Sequence, residues 1–286
     1  MLIGGGLDAW LASRTRSSGN EAAAIAKPNS PDRRILWTVL ALSVALVAIV
    51  AVIFFRRAST STPVARTFRQ VWTGDEVDYW NAVSPDGRYV SYTDLQTGDL
   101  GIHDLSSGQN RTITKKGKTA QESPAWAFNA AFSPDGKFVA YWWWTDDRTN
   151  EVRVVGRDGT GQRTLLRDSD HASYELMDWS PDGKFISAVI ERSNQKTDLA
   201  VISARDGSVR VLKTLGEVGT QRVAFSRDSK YLAYDAPFGK DENGDIFLIS
   251  VDGKTDQRVI GYPTNEFLVG WTPRGDALVF GSDRTV

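Results

Sequence analysis

A chain of 286 residues with 34 Lys and Arg against 35 Asp and Glu lacks the basic excess that neutralises phosphates, so nucleic acid is disfavoured as a main partner. It has no Cys and two His, His103 and His171. That excludes disulfides, Cys-ligated zinc, iron–sulfur clusters, thiol nucleophiles and any His-rich metal site, and no cofactor is expected.

In chain order, residues 1–34 are rich in Gly, Ala, Ser and Pro with no sustained apolar period, and read as a disordered tail. Residues 35–55 then run 21 positions without a charge, with Thr38 and Ser43 as the polar members. A helix of that length spans about 31 Å, matching a bilayer core of about 30 Å. Arg33 and Arg34 precede it, Arg56 and Arg57 follow it, and Trp37 stands where an interfacial aromatic belongs. The run is too long for a signal-peptide core, and its end at Phe54-Phe55-Arg56-Arg57 is a poor cleavage site. A single, uncleaved transmembrane α-helix is therefore expected. The flanking basic residues tie, so orientation rests on the short leading tail and long trailing domain, which place the N-terminus in the cytoplasm.

A linker over 56–66 leads into a domain over 67–286 that repeats itself. The motif Ser84-Pro85-Asp86-Gly87 recurs as Ser133-Pro134-Asp135-Gly136, Ser180-Pro181-Asp182-Gly183, Ser226-Arg227-Asp228-Ser229 and Thr272-Pro273-Arg274-Gly275, at intervals of 49, 47, 46 and 46 residues. Each copy follows a short apolar segment and precedes one rich in aromatic and β-branched residues, as in 129–132 and 137–143. In the turn, Pro fixes φ, Asp bonds its own backbone and Gly supplies positive φ. Third strands are expected at 100–105, 152–155, 199–203 and 246–251, and fourth strands at 111–114, 163–166, 209–212 and 258–260. The connecting Ser107-Gly108, Asp158-Gly159, Asp206-Gly207 and Asp252-Gly253 are read as type I′ turns.

Four short strands per repeat of roughly 45 residues is the signature of a β-propeller blade. The fold class expected is all-β: a β-propeller of four-stranded antiparallel blades, four full repeats plus a partial fifth, behind one transmembrane helix. The Ser-Pro-Asp-Gly-Lys pattern resembles the WD-repeat-like propeller of the periplasmic TolB family, over most of the chain beyond the membrane segment. Copies four and five depart from it at Arg227, Ser229 and Arg274, and their turns are expected to be looser or differently hydrogen-bonded. The fifth repeat has two strands before Val286, and Thr67 to Trp72 reads as a fourth strand ahead of the first repeat. A C-terminally truncated propeller is the expectation.

No Gly-x-Ser-x-Gly elbow is present, and two scattered His make no triad, so no catalytic residue is assigned. No metal site is assigned either, because the acidic run 241–245 lacks the spacing of a calcium loop and reads as a polar hairpin. In Tyr141-Trp142-Trp143-Trp144, alternation sends Trp142 and Trp144 to one face and Tyr141 and Trp143 to the other. Trp144, with Asp146 and Asp147 beyond it, is the candidate ligand-binding group. The resemblance implies a non-catalytic binding, sensing or scaffolding module of the cell envelope, with protein or peptide partners and an extracytoplasmic, periplasmic propeller. The alternative is the anchor and propeller of a prolyl-oligopeptidase-type serine peptidase whose hydrolase domain is absent from this chain.

Overall fold

The computed structural model describes residues 37, 42–46 and 82–284, apart from 120, 123, 146–148, 169–172, 217–218 and 239–242. The chain divides into units over 1–68 and 69–286. Most of the expected span 35–55 lies outside the described residues, as do 1–34, the linker and 67–72. Trp37 and 42–46 are helical, and Trp37, Leu42, Val44 and Leu46 are exposed. Among the described residues no helix is long and apolar enough to cross a membrane.

The second unit is a succession of antiparallel sheets, one per repeat. The first holds β1 (Tyr89–Thr93), β2 (Leu100–Asp104) and β3 (Gln109–Thr112), with its innermost strand represented by the bridge Val83↔Val90. The second is β4 (Trp126–Phe132), β5 (Phe138–Trp144), β6 (Asn150–Gly156) and β7 (Arg163–Asp168). The third is β8 (Ser173–Trp179), β9 (Phe185–Glu191), β10 (Thr197–Ser203) and β11 (Val209–Gly216). The fourth is β12 (Val223–Phe225), β13 (Tyr231–Phe238), β14 (Asn243–Ser250) and β15 (Asp256–Ile260), and the fifth is β16 (Glu266–Trp271) with β17 (Leu278–Ser282). Strands within a sheet pair in sequence order, and the first strands of successive sheets pack side by side. Among the described residues the strands expected from the repeat are present to within a few residues, except the first strand of the first repeat, where an isolated bridge stands. The acidic run is corrected: Asn243, Gly244 and Asp245 belong to β14, whose register needs them opposite Phe238, Pro237 and Ala236.

The second, third and fourth sheets have a neighbour on each face, so their middle strands are buried at almost every position, while the outer strands are largely exposed. In β5, Val139, Tyr141 and Trp143 pack toward the first sheet, with Leu100, Ile102 and Ile113. Ala140 and Trp142 pack toward the third, with Leu176, Ile186 and Ile202. The alternation expected for the aromatic run is therefore observed for Tyr141, Trp142 and Trp143. Two further clusters join the third sheet to the fourth and the fourth to the fifth. At roughly 1.5–3 kcal/mol per fully buried large apolar side chain, these interfaces are the main source of stability.

The Ser-Pro-Asp-Gly turns share one set of bonds. The Ser Oγ donates to the Asp Oδ1 at 2.5 to 2.8 Å and accepts the backbone N–H five residues on at 2.9 to 3.0 Å. The Asp Oδ1 also accepts the N–H two residues on. Copy four makes these bonds in full, contrary to expectation, because Ser229 itself adopts the left-handed conformation at φ 60°. Copy five does differ: with Arg274 in the Asp position, Thr272 Oγ1 donates instead to Asp276 Oδ1. The type I′ reading of the outer hairpins is corrected as well. Gly108, Gly159, Gly207 and Gly253 have positive φ, but the residues before them do not. Asp158, Asp206 and Asp252 each accept the N–H two residues on, which holds them at negative φ. The result is a turn closed by a left-handed glycine.

A second regular contact crosses the junctions. Arg111, Arg163 and Arg210, each on a fourth strand, donate to the carbonyls of Arg157, Ala204 and Val251 in the next sheet's outer hairpin. Gln257 holds the equivalent place in β15, opposite Leu248.

Two left-handed non-glycine residues yield opposite expectations. Gln195 (φ 63°) is exposed in the β9–β10 hairpin, so Gln195→Gly relieves strain and raises stability by about 0.5–1 kcal/mol in urea unfolding. Ser229→Gly gains little, because Ser229 Oγ accepts the Asp182 N–H at 3.0 Å across the junction.

Candidate functional site: the axial cavity

The first strands of the second and third sheets, with neighbouring segments of the first and fourth, line a cavity of about 900 Å³. Its walls are mainly apolar, among them Val83, Ala130, Phe132, Leu176 and Trp179, and Pro85, Pro134 and Pro181 bring the three intact turn motifs together at it. Asn129, Glu175, Asp178, Gln221 and Arg222 are its polar members.

Irregular backbone places two of the lining residues. The β4–β5 register shifts between Phe128 and Ala130, and Asn129, the residue skipped, has φ 42°. The β8–β9 register shifts between Leu176 and Asp178, skipping Met177. Such bulges turn a side chain out of the alternating pattern, and both residues line the cavity. Gln221 and Arg222 are held from behind by Asp235, whose buried Oδ1 accepts both backbone N–H groups at 2.8 and 3.0 Å. Asp235 Oδ2 accepts the Leu268 N–H of the next sheet.

Asp178 does the same at the preceding junction. Its Oδ2 accepts the Phe225 N–H at 2.9 Å and its Oδ1 the Trp179 N–H at 2.8 Å. Burial raises its carboxyl to about 6 although both N–H groups favour the ionised form. Glu175, half-buried, is also raised, first by burial and then by Glu191. The cavity thus combines largely apolar walls with two carboxyls raised by their surroundings. Among the described residues there is no cluster of three metal-ligating side chains.

The residues singled out in the sequence are dispersed. Trp144 is half-buried at the end of β5, between Trp126 and Asn150, and does not line this cavity. Asp146 and Asp147 lie outside the described residues, as does His171. His103 is buried in β2, its Nδ1 2.6 Å from Asn110 Oδ1. Of the residues missed, Asp178 had a signal: it stands where the other copies have Ala82, Ala131, Ala224 and Gly270.

No family model matches the chain, and no curated protein matches it. Solved structures do. The TolB-type protein of Agrobacterium tumefaciens superposes with a TM-score of 0.60 at 21% identity, over 75% of this chain and 73% of that one. TolB of Acinetobacter baumannii gives 0.50 at 20% identity, over 68% of this chain and 46% of its own. Dipeptidyl peptidase 4 of Porphyromonas gingivalis gives 0.52 at 12% identity, over 68% and 34%. These likenesses show a β-propeller fold of the kind TolB proteins have, and the chain spans less than half the length of the last two.

Asp178 gives this site a pH signature. The unfolded carboxyl ionises near 3.8 and the folded one near 6, so between these values the unfolded chain releases its proton first and stability falls as pH rises. Asp178→Asn lacks that fall. Relative to wild type it gains on the order of 2 kcal/mol between pH 4 and pH 7, read by urea unfolding at both.

Proposed function

We propose that this chain is a membrane-anchored β-propeller of the cell envelope that binds a protein or peptide segment in its axial cavity and carries out no catalysis of its own. The observation that supports the reading most is the cavity: apolar walls drawn from three sheets, polar groups held by a bulge and by Asp235, and no nucleophile–base pair among its lining residues. The resemblance to TolB propellers agrees with it. The uncharged run 35–55 supplies the anchor, with residues 1–34 in the cytoplasm and the propeller outside it.

A second reading has a specific basis in the likeness to the dipeptidyl peptidase 4 propeller and in the order of anchor before propeller. In it, this chain is the anchoring and gating part of a prolyl-oligopeptidase-type peptidase whose hydrolase domain lies outside residues 1–286. A Gly-x-Ser-x-Gly elbow encoded in frame after Val286 decides for that reading, and a stop codon there decides against it.

Two experiments test the first reading. Because the chain has no Cys, Lys254→Cys on the exposed β14–β15 hairpin is a unique label. A membrane-impermeant maleimide should modify it while the cytoplasmic membrane is intact; modification only after lysis places the propeller inside. For the cavity, peptides selected from a random library on the full chain should lose at least about tenfold in affinity to Glu175→Arg. Equal affinity for the variant moves the binding site elsewhere.

A further inference from the structure

The quasi-equivalence of the junctions exposes one difference that packing alone does not explain. In the first four sheets the second strand opens on an aromatic at the sheet junction: Tyr89, Phe138, Phe185 and Tyr231. Leu105, Arg157, Ala204 and Val251 are equivalent too, each donating its N–H to the carbonyl just before its own sheet's aromatic. Where the first sheet meets the second, the Arg157 guanidinium lies 4.2 Å from the Tyr89 ring centroid, with Arg88 at 5.0 Å. Phe185, where the third meets the fourth, has the Arg210 guanidinium at 5.7 Å. At the middle junction Ala204 takes the place of Arg157. Phe138 is 45% exposed there, and among the described residues no guanidinium or ammonium lies over its ring. Tyr231 faces the two-stranded sheet, where the described residues hold no outer hairpin to make the comparison.

The uncovered ring opens into a groove of about 780 Å³ between the second and third sheets, lined also by Phe185 and Pro181. Two of its carboxylates are engaged: Asp135 pairs with Lys137 and Asp182 with Lys184. Asp206, on the same hairpin as Ala204, has no ion-pair partner among the described residues. Its hydrogen bonds from Ser208 help hold its carboxyl down to about 2, so it is a permanent negative charge at the groove. Of the lining cations, Arg163 is committed to the Ala204 carbonyl and Lys184 to Asp182, which leaves Arg205.

We infer that this groove is a second binding site, distinct from the axial cavity, that takes an arginine side chain of a partner protein, its guanidinium stacked on Phe138 and drawn in by Asp206. The site reproduces in trans the arrangement that Arg157 and Tyr89 make within the chain. Arginine suits it because a planar, weakly hydrated cation stacks on a ring face at lower desolvation cost than an ammonium.

The test is calorimetric titration of the full chain, at low salt, with a capped Gly-Ala-Arg-Ala-Gly peptide and its citrulline counterpart, which keeps the shape and loses the charge. The arginine peptide should bind and the citrulline peptide should bind at least about tenfold more weakly. Phe138→Leu should weaken the arginine peptide by a similar factor, and Asp206→Asn should weaken it less. Ala204→Arg, which supplies the chain's own guanidinium, should abolish binding, while Arg205→Ala should strengthen it. Glu175→Gln, in the axial cavity, should leave it unchanged. Thermal unfolding followed by Trp fluorescence confirms that each variant is folded, and Phe138→Leu carries the test if Ala204→Arg is not. Equal binding of the citrulline peptide, unchanged binding by folded Phe138→Leu, or no binding to the wild-type chain overturns the inference.

Discussion

No sheet of this protein can bury its own faces. A four-stranded antiparallel sheet of short strands has two apolar surfaces and no interior, and each hydrophobic cluster here is a junction between successive sheets. Everything else serves that stacking. Strands such as Thr197–Ser203 are buried along nearly their whole length because a neighbour covers each face. Arg111, Arg163 and Arg210 bond the backbone of the next sheet at one shared carbonyl position, tying the first three junctions in the same way. Gly207 shows how close that approach is: a Cβ there would sit 1.8 Å from the Leu165 carbonyl oxygen of the preceding sheet.

The turns between first and second strands are the repeated polar element that makes the apolar stacking possible. A buried Ser hydroxyl and an exposed Asp carboxylate between them satisfy the N–H groups that a tight reversal leaves over. The same solution is used at an outer hairpin: Ser250, Asp252 and Gly253 repeat the bonds of Ser133, Asp135 and Gly136. Its success in Ser226-Arg227-Asp228-Ser229 shows which members matter. The Ser hydroxyl and the Asp carboxylate carry the hydrogen bonds; Pro and Gly make the backbone path easier but do not define it.

The proposed binding sites lie where the regular pattern is broken. The bulges at Asn129 and Met177, the half-buried Asp178 and the buried Asp235 all depart from the blade repeat, and all bear on the axial cavity. Asp178 and Asp235 each bridge to the first strand of the next sheet, so the groups that shape the cavity also set the spacing of the sheets around it. The groove at Phe138 is a break of the same kind, a small residue in a place where the neighbouring junction has an arginine.

The strands, their order and their turns were legible in the sequence, because a local repeat of turn chemistry and apolar segments is written residue by residue. Even there, the φ of the residue before each hairpin glycine was not, since Asp-Gly is compatible with two turns and the Asp carboxylate chose between them. Asp178 stood out in the repeat as a carboxylate where the other copies have alanine or glycine. Glu175, Asn129, Gln221 and Arg222 did not, because about 46 residues separate the second sheet's contribution to the cavity from the third's, and nothing local says which side chains a bulge will turn inward. Trp144 looked like a site because it ends an aromatic run, yet strand pairing set it at a sheet end away from the cavity. Sequence determined what each blade is made of. The stacking of blades, which alone brings distant first strands to one axis and sets one hairpin against its neighbour's aromatic, decided where a ligand can be held.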